Sequence, residues 1–385
     1  MSFLDETIYK EFEKTVNSSK IFANDITEKK NYSLICAILS RVKDSIHFLN
    51  NNYNNLNEDN DIYLFMIHSC IIVDAVRNIM AQLEMETEQN KCDGIIKHFK
   101  DTCLSETLGM TEDTCLSDVR FFEYFRSIVF AHPLETNRQP FLKINKETHY
   151  SPFLLSQHNK TQNNDIGVMI YSNKTDEIKL LHVPREAIYN YINYRYTLLN
   201  LVKLELEGRI KEKKKEWMKC KVNRQQQPEQ ILYDISNILK ERCESTYDID
   251  TCINILKYKS SNVKNMESVE KVKNAIISFI PQICDYIDSL NHDKIWEISR
   301  SILYDSPKKV YGNFIYDWGK IHTCLIPDTT HSNQRFGIDC AKRFSQQFAN
   351  KWVDIDTNHM EYDEIKLLTR VASYLEKEEE SSFEC

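Results

Sequence analysis

The amino-acid sequence predicts a mainly α-helical protein with more than one domain. Only 7 glycines and 8 prolines occur among the 385 residues, which is too few for the many turns of an all-β protein. Long segments carry apolar side chains every three to four positions, as amphipathic helices do. The length is sufficient for two or three hydrophobic cores. The net charge of -8 indicates that any contact with nucleic acid is confined to a local basic surface.

The first part of the chain contains two amphipathic helices and one that is apolar nearly all round. We expect helices at about residues 4–16 and 32–49, followed by an asparagine-rich, solvated loop at 50–61. The most apolar helix, at about 62–83, is expected to lie buried in the core. Its longest apolar run, residues 63–76, is too short to cross a bilayer, so we expect no membrane segment.

Three polar side chains share one face of this apolar helix. Asp74, Arg77 and Asn78 are three and four positions apart, a spacing that brings side chains together on a helix surface. They are either a polar edge where the helix leaves the core or one wall of a functional site.

The segment 118–131 is predicted to be the third long helix of the first domain, after a loop at 92–118. Ser117 or Asp118 is expected to cap its first turn. Pro133 disfavours the α conformation at His132, so the helix should end there. Its predicted buried stripe consists of Phe121, Phe122, Phe125, Ile128 and Val129.

Residues 166–172 and 178–183 are two short apolar segments separated by a polar turn, a pattern that predicts a β-hairpin. Pro184 suits the first position of a following helix. That helix is expected to run from Arg185 to beyond Lys219. Its end, residues 209–224, is strongly basic. Such a run is either a solvated helix face or a contact for a phosphate backbone.

The segment 225–228, with the sequence QQQP, is the predicted linker between two domains. Residues 1–224 form the first domain, and 229–385 form a second, all-α domain of unknown role. His322, Cys324, His331 and Cys340 could ligate zinc, but their spacing fits no common zinc finger. We therefore expect no metal site. The lack of a Cys-x-x-Cys pair and the polar N-terminal segment suggest the reducing cytoplasm.

The end of the third helix carries Arg126 and His132 in the string RSIVFAHP. This Arg-x5-His pattern, followed by proline, resembles the Arg-x4-6-His motif of HEPN domains, which are small helical domains. Arg41 and His47 show the same spacing, but they lie within a helix that continues past the histidine. The resemblance covers about residues 30–220.

The resemblance implies a HEPN-like helical bundle, with the β-hairpin as an insertion. It also implies a homodimer in which both Arg126–His132 sets face one cleft and cut RNA without metal or cofactor. Many such domains are toxins or act in defence against phage, so a regulatory protein or a phage-derived activator could act through residues 229–385. Asp74, Arg77, Asn78, Glu123 and Ser127 are the candidate supporting residues.

The chemistry of the motif agrees with this expectation. A histidine can donate or accept a proton near neutral pH, and an arginine offers a fork of donors to phosphate oxygens. The RNA itself supplies the nucleophile, its ribose 2′-OH. Six positions along an ideal helix separate two residues by about 9 Å and place them on different faces. Convergence on one phosphate requires a loosened last turn or a second copy of the helix, and the resemblance implies the second copy.

Two positions depart from the family pattern. Ser127 stands where Asn, Asp or His commonly follows the arginine. Leu134 stands where HEPN toxins silenced by nucleotide transfer carry tyrosine. Two alternatives remain open: Arg126 pairs with Glu123 while His132 only caps the helix, or the domain is a scaffold that binds RNA, a nucleotide or a protein without catalysis.

Overall fold

The computed structural model describes residues 2–25, 29–155, 165–304 and 314–382. It is mainly helical with one small sheet, so the predicted fold class is confirmed at that level. The chain divides into two compact units, Met1–Ile210 and Lys211–Cys385. The predicted linker at 225–228 lies inside the second unit, and its last residue, Pro228, is the first residue of a helix.

The first unit begins with helices whose ends are set by local polar groups. The Asp5 carboxylate accepts a hydrogen bond from the backbone N–H of Thr7 and caps the first helix. The helices before the candidate motif are α1 (Glu6–Asn17), α2 (Ile21–Asn24), α3 (Lys29–Asn52), α4 (Asp59–Gln82), α5 (Glu86–Asp93) and α6 (Lys100–Cys103).

Helix α4 is the central helix of this unit, as its composition predicts. It packs along α3 and against the later helix at Arg185–Thr197. Helix α4 is long and apolar enough to cross a membrane, although its longest apolar run did not suggest this. However, 56% of its most apolar 18-residue stretch is buried inside the protein. That burial is typical of a core helix of a globular domain.

The predicted single helix at 118–131 is in fact two pieces. Helix α7 spans Asp118–Arg126, and a π-helical turn spans Ser127–Ala131. All five side chains of the predicted stripe are buried. Ser117 is the N-cap residue, as predicted, but its side chain makes no capping hydrogen bond. The Asp118 carboxylate instead accepts hydrogen bonds from the backbone N–H groups of residues 97–99.

The predicted hairpin belongs to a three-stranded antiparallel sheet. After α8 (Pro140–Asn145), the strands are β1 (His149–Tyr150), β2 (Asp165–Ser172) and β3 (Lys179–Pro184), in the order β1-β2-β3. In β2 and β3 Ile166 pairs with Val183 and Val168 with Leu181, and these side chains are buried. The pattern of two residues in β1 is too short to recognise from sequence.

The long helix expected from Arg185 is interrupted near its middle. Helix α9 spans Arg185–Thr197 and α10 spans Leu199–Trp217, with Leu198 between them. Pro184 is the residue before the first turn of α9 and not its first helical residue.

The second unit is all-α in the residues that the structure describes, as expected. Its core is dominated by isoleucine, leucine and valine side chains from every helix after α10. The sequence also predicts a helix at about residues 310–325, and the first four of these residues lie outside the described ranges. The helices are α11 (Pro228–Glu241), α12 (Tyr247–Lys257), α13 (Val263–Asp288), α14 (His292–Leu303), α15 (Phe314–Cys324), α16 (His331–Gln347) and α17 (Tyr362–Ser382), with a 3-10 turn at Ala349–Lys351.

Candidate functional site

The backbone between Arg126 and His132 is wound more loosely than an α-helix. The N–H of His132 donates to the carbonyl of Ser127 at 2.8 Å, five residues back instead of four. Single π-helical turns of this kind are rare and occur frequently at functional sites. The turn ends at His132, whose φ of -145° and ψ of 54° are non-helical and whose side chain is exposed.

Thr136 fixes both ends of the π-helical turn. Its hydroxyl donates to the carbonyl of His132 at 2.8 Å, and it therefore accepts from the Ser127 hydroxyl at 3.0 Å. Thr136 is almost fully buried. The Ser127 side chain is thus used to hold the turn, a role that sequence reasoning did not foresee.

The small sheet holds the segment that follows His132. The backbones of Thr136 and His149 exchange two hydrogen bonds of 2.9 Å, so the segment pairs with β1. Buried His149 contacts the hydroxyl of Tyr124 in α7 through Nδ1 at 2.8 Å and the Glu147 carboxylate through Nε2 at 3.0 Å. The Ser172 hydroxyl of β2 donates to the same carboxylate. This chain of polar contacts fixes α7 on the sheet.

Burial governs the protonation of that network. Burial lowers the pKa of His149, and the hydrogen bond and charge of Glu147 only partly oppose the shift. Burial likewise raises the pKa of the Tyr124 hydroxyl. The network is therefore neutral at His149 and Tyr124 near neutral pH, and it suits a structural role.

Arg126 reaches back from the end of α7 to α4. Its Nη1 lies 3.2 Å from the Asp74 carboxylate, with 36% of the Arg126 and 49% of the Asp74 side chain exposed. Partial burial tends to lower the pKa of the guanidinium, but Asp74 and the neighbouring Cys70 thiol raise it above its usual value. Burial in turn raises the pKa of Cys70 to about 11, so that thiol stays protonated.

Arg126 does not pair with Glu123, so the pairing expected for a purely local role is wrong. Glu123 is bound instead by Arg77 of α4 at 2.9 Å and by Arg120 at 3.5 Å. The reason is that α7 lies beside α4, so that Glu123 and Arg126 of α7 each bind a side chain of α4. Asp74 and Arg77 thus face the candidate motif, whereas Asn78 is exposed and has no recorded contact with it among the described residues.

The sequence did not indicate Asp93 and Arg195, which extend this charged cluster. Asp93 accepts a 2.7 Å hydrogen bond from the fully buried Arg195 and lies 4.0 Å from Arg77. Two nitrogens of Arg195, Nε and Nη2, are buried without a partner among the described residues. The cluster consists of Arg77, Arg120, Arg126, Arg195, Asp74, Asp93 and Glu123. Its four guanidinium groups against three carboxylates leave a net charge of +1.

The π-helical turn does not bring the two motif side chains into contact. No hydrogen bond joins Arg126 to His132 within the described part of the chain. The competing pair, Arg41 and His47, lies within α3, which continues past His47 as expected. Across residues 2–25, 29–155, 165–304 and 314–382, no group of three or more His, Cys, Asp or Glu residues is placed to hold a metal ion.

No protein-family model, no curated protein and no solved structure matches the chain. Its function is therefore inferred from its own residues.

Proposed function

We propose that the chain is a metal-independent endoribonuclease that acts as a homodimer in the cytoplasm, as a toxin or in defence against phage. The observation that carries the proposal is the π-helical turn between Arg126 and His132. It leaves His132 exposed immediately beyond the helix, while Arg126 stays at the end of α7. Rare backbone geometry of this kind needs support from the surrounding structure, and buried Thr136 provides it.

The proposed reaction uses groups that this arrangement can supply. The ribose 2′-oxygen attacks the adjacent phosphorus and gives its proton to a histidine base, while the bond from phosphorus to the 5′-oxygen breaks. An acid protonates the departing 5′-oxygen. The products are a 2′,3′-cyclic phosphate and a 5′-hydroxyl. Arg126 binds the charge that develops on the phosphate oxygens.

Arg126 can exchange its carboxylate partner for a phosphate at little cost. The Arg126–Asp74 pair is about half exposed, and exposed ion pairs are worth only about 0–1 kcal/mol. A phosphate in the cleft would accept two parallel hydrogen bonds from the same guanidinium. The excess of positive charge in the surrounding cluster also favours an anionic substrate.

A second copy of the chain would supply the remaining acid–base group. The motif supplies one histidine per copy, His132, whereas the proposed reaction uses both a base and an acid. Leu134, two residues after His132, is 79% exposed. An apolar side chain in that position is suited to burial against a second copy.

Alanine substitutions at the motif test the proposal, with the second Arg-x5-His pair as a matched control. Arg126→Ala and His132→Ala should each slow cleavage of RNA in EDTA by about 100-fold or more, the usual contribution of a charge-stabilising group and of an acid–base group, respectively. Arg41→Ala and His47→Ala should leave the rate unchanged. Circular dichroism checks that all four variants fold. Wild-type rates in the first two variants would end the proposal.

A non-catalytic scaffold is the second candidate, and two contacts favour it. Arg126 is paired with Asp74, so a substrate would first have to displace that carboxylate. The Ser127 hydroxyl is engaged by Thr136, so it is not free to orient a substrate. Such a scaffold would bind RNA, a nucleotide or a protein without cutting RNA. In either case residues 229–385 are the proposed place for a regulatory protein or a phage-derived activator.

A further inference from the structure

The second unit contains a pocket that has no part in the proposed RNA cleavage. Its volume is about 380 Å³, toward the lower end of the roughly 300–1,000 Å³ that small-molecule sites occupy. Residues of α12 and α17 form most of its wall, and His322 of α15 completes it. Its other lining residues include Tyr247, Asn254, Tyr258, Asp363, Glu364, Lys366 and Arg370.

Arg370 is a buried cation in the wall of this pocket. Only 4% of the residue is exposed, and it has no carboxylate within 4 Å among the described residues. Its guanidinium lies 4.9 Å from the ring centroid of Tyr304 and 5.6 Å from that of Trp318. Aromatic faces stabilise a buried cation partly. The Asp248 carboxylate binds the Tyr304 hydroxyl at 2.5 Å and does not pair with Arg370, so the guanidinium has no directly bound anion among the described residues.

The hydrogen bonds of Arg370 leave part of its donor capacity unused. Nη1 donates to the Leu303 carbonyl at 3.0 Å, and Nη2 donates to the Tyr247 hydroxyl at 3.2 Å. Nη2 also approaches Nδ1 of His322 at 3.5 Å. A guanidinium has five N–H donors, so two have no partner among the described residues. An anion in the pocket would supply both the missing charge and the missing acceptors.

His322 fits this arrangement as a neutral acceptor. The Thr369 hydroxyl donates to the Lys366 carbonyl, so it accepts from Nε2 of His322 at 3.4 Å. Nδ1 then carries no proton and faces the Arg370 guanidinium. His322 therefore adds no positive charge beside Arg370. The other cation of the lining, Lys366, is already paired with Asp363 at 2.6 Å.

The other end of the pocket is acidic and aromatic. Asp363 pairs with Lys366 at 2.6 Å, and Glu364 accepts from the Tyr258 hydroxyl at 2.8 Å. Seven positions on α17 separate Asp363 from Arg370, which is about 10 Å along the axis. Two carboxylates at this end would repel a ligand that is anionic over its whole length, but they would accept hydrogen bonds from N–H groups.

We propose that this pocket binds a nucleoside monophosphate, with its phosphate on Arg370 and its base at the acidic end. The ring of Tyr258, beside Glu364, offers the base a flat surface at the acidic end. The ring of Tyr247 offers a second one next to Arg370, since base–aromatic stacking does not depend on the identity of the base. The amide of Asn254 and the carboxylate of Glu364, which also line the pocket, would supply hydrogen-bond partners for its polar edge. The proposal does not rest on the proposed RNA cleavage.

Calorimetric titration of the full chain tests the proposal with AMP, GMP, CMP and UMP, alongside adenosine and inorganic phosphate. At least one of the four nucleotides should bind about tenfold or more tightly than inorganic phosphate, and AMP should bind more tightly than adenosine. Absence of binding by all four nucleotides would overturn the proposal. Inorganic phosphate binding as tightly as every nucleotide would overturn the role of the base.

Variants at the pocket assign the binding to these residues. Arg370→Gln should abolish nucleotide binding, but the loss of a buried arginine could also unfold the unit. Tyr247→Ala and Asn254→Ala therefore decide the matter, because Tyr247 is 58% exposed and Asn254 is also exposed. Tyr247→Ala should weaken binding about tenfold. Tyr316→Ala is the matched control at a tyrosine that is 52% exposed outside the pocket lining. Equal affinity in all variants would refute the assignment.

Discussion

Replacement of Thr136 by valine should loosen the π-helical turn without changing the shape of the side chain. The substitution removes the hydroxyl that donates to the His132 carbonyl and accepts from Ser127. Each such hydrogen bond contributes about 0.5–1.5 kcal/mol, so the local free energy of opening should fall by about 1–3 kcal/mol. The consequence is confined to the segment 127–136, because the backbone pairing with β1 is retained.

Amide hydrogen exchange measures this change directly. A tenfold difference in an equilibrium corresponds to about 1.4 kcal/mol, so the His132 N–H should exchange about 5-fold to 150-fold faster in the Thr136→Val chain. Thr107→Val is a matched control, because the Thr107 hydroxyl also donates to a carbonyl, that of Leu180, at 2.8 Å. It should leave exchange at His132 unchanged. A wild-type rate in the Thr136→Val chain would refute the reasoning.

Three further predictions concern stability, pH and RNA affinity. Asp118→Asn should lower the free energy of unfolding by about 1.5–3 kcal/mol in urea titrations, because a buried carboxylate accepting backbone N–H bonds loses its charge; exposed Asp113→Asn should have no effect. The first unit should lose stability as the pH falls below about 6.5, because unfolded His149 takes up a proton that the buried, lowered-pKa form does not. Unfolding followed at several pH values should show this slope in the wild type and a smaller one in His149→Gln. Asp74→Asn should tighten RNA binding by up to about fivefold in filter binding, since Arg126 is released from a pair worth about 0–1 kcal/mol; weaker binding would contradict this.

The spacing of apolar residues in the sequence was sufficient to predict most of the helices. The apolar stripe from Phe121 to Val129 is buried as predicted, and the end of the helix at His132 follows from Pro133. The same stripe fits an α-helix and an α-helix with one π-helical turn, so the loosened turn could not be predicted. The interruption of the long helix at Leu198 has no glycine or proline to mark it.

The partners of the candidate site depend on tertiary packing and could not be read from spacing. Glu123 is three positions from Arg126, which suggests an ion pair within one helix. In the structure, however, Glu123 pairs with Arg77 of α4, and Arg126 pairs with Asp74 of α4. The shared face of Asp74 and Arg77 was predictable, and its partner helix was not. Strand β1 could not be predicted, because two residues are too few to show the alternation of buried and exposed side chains that marks a strand.

The RNA ends produced in EDTA test the central claim most directly. Purified full chain is incubated with total RNA, and the 5′ ends of the products are mapped by ligation that selects 5′-hydroxyl ends. New 5′-hydroxyl ends with the wild type, and none with the Arg126→Ala/His132→Ala chain, are predicted for cleavage by attack of the 2′-oxygen. RNA left intact by the wild type, or cut equally by the double variant, would contradict the claim that Arg126 and His132 form a ribonuclease site.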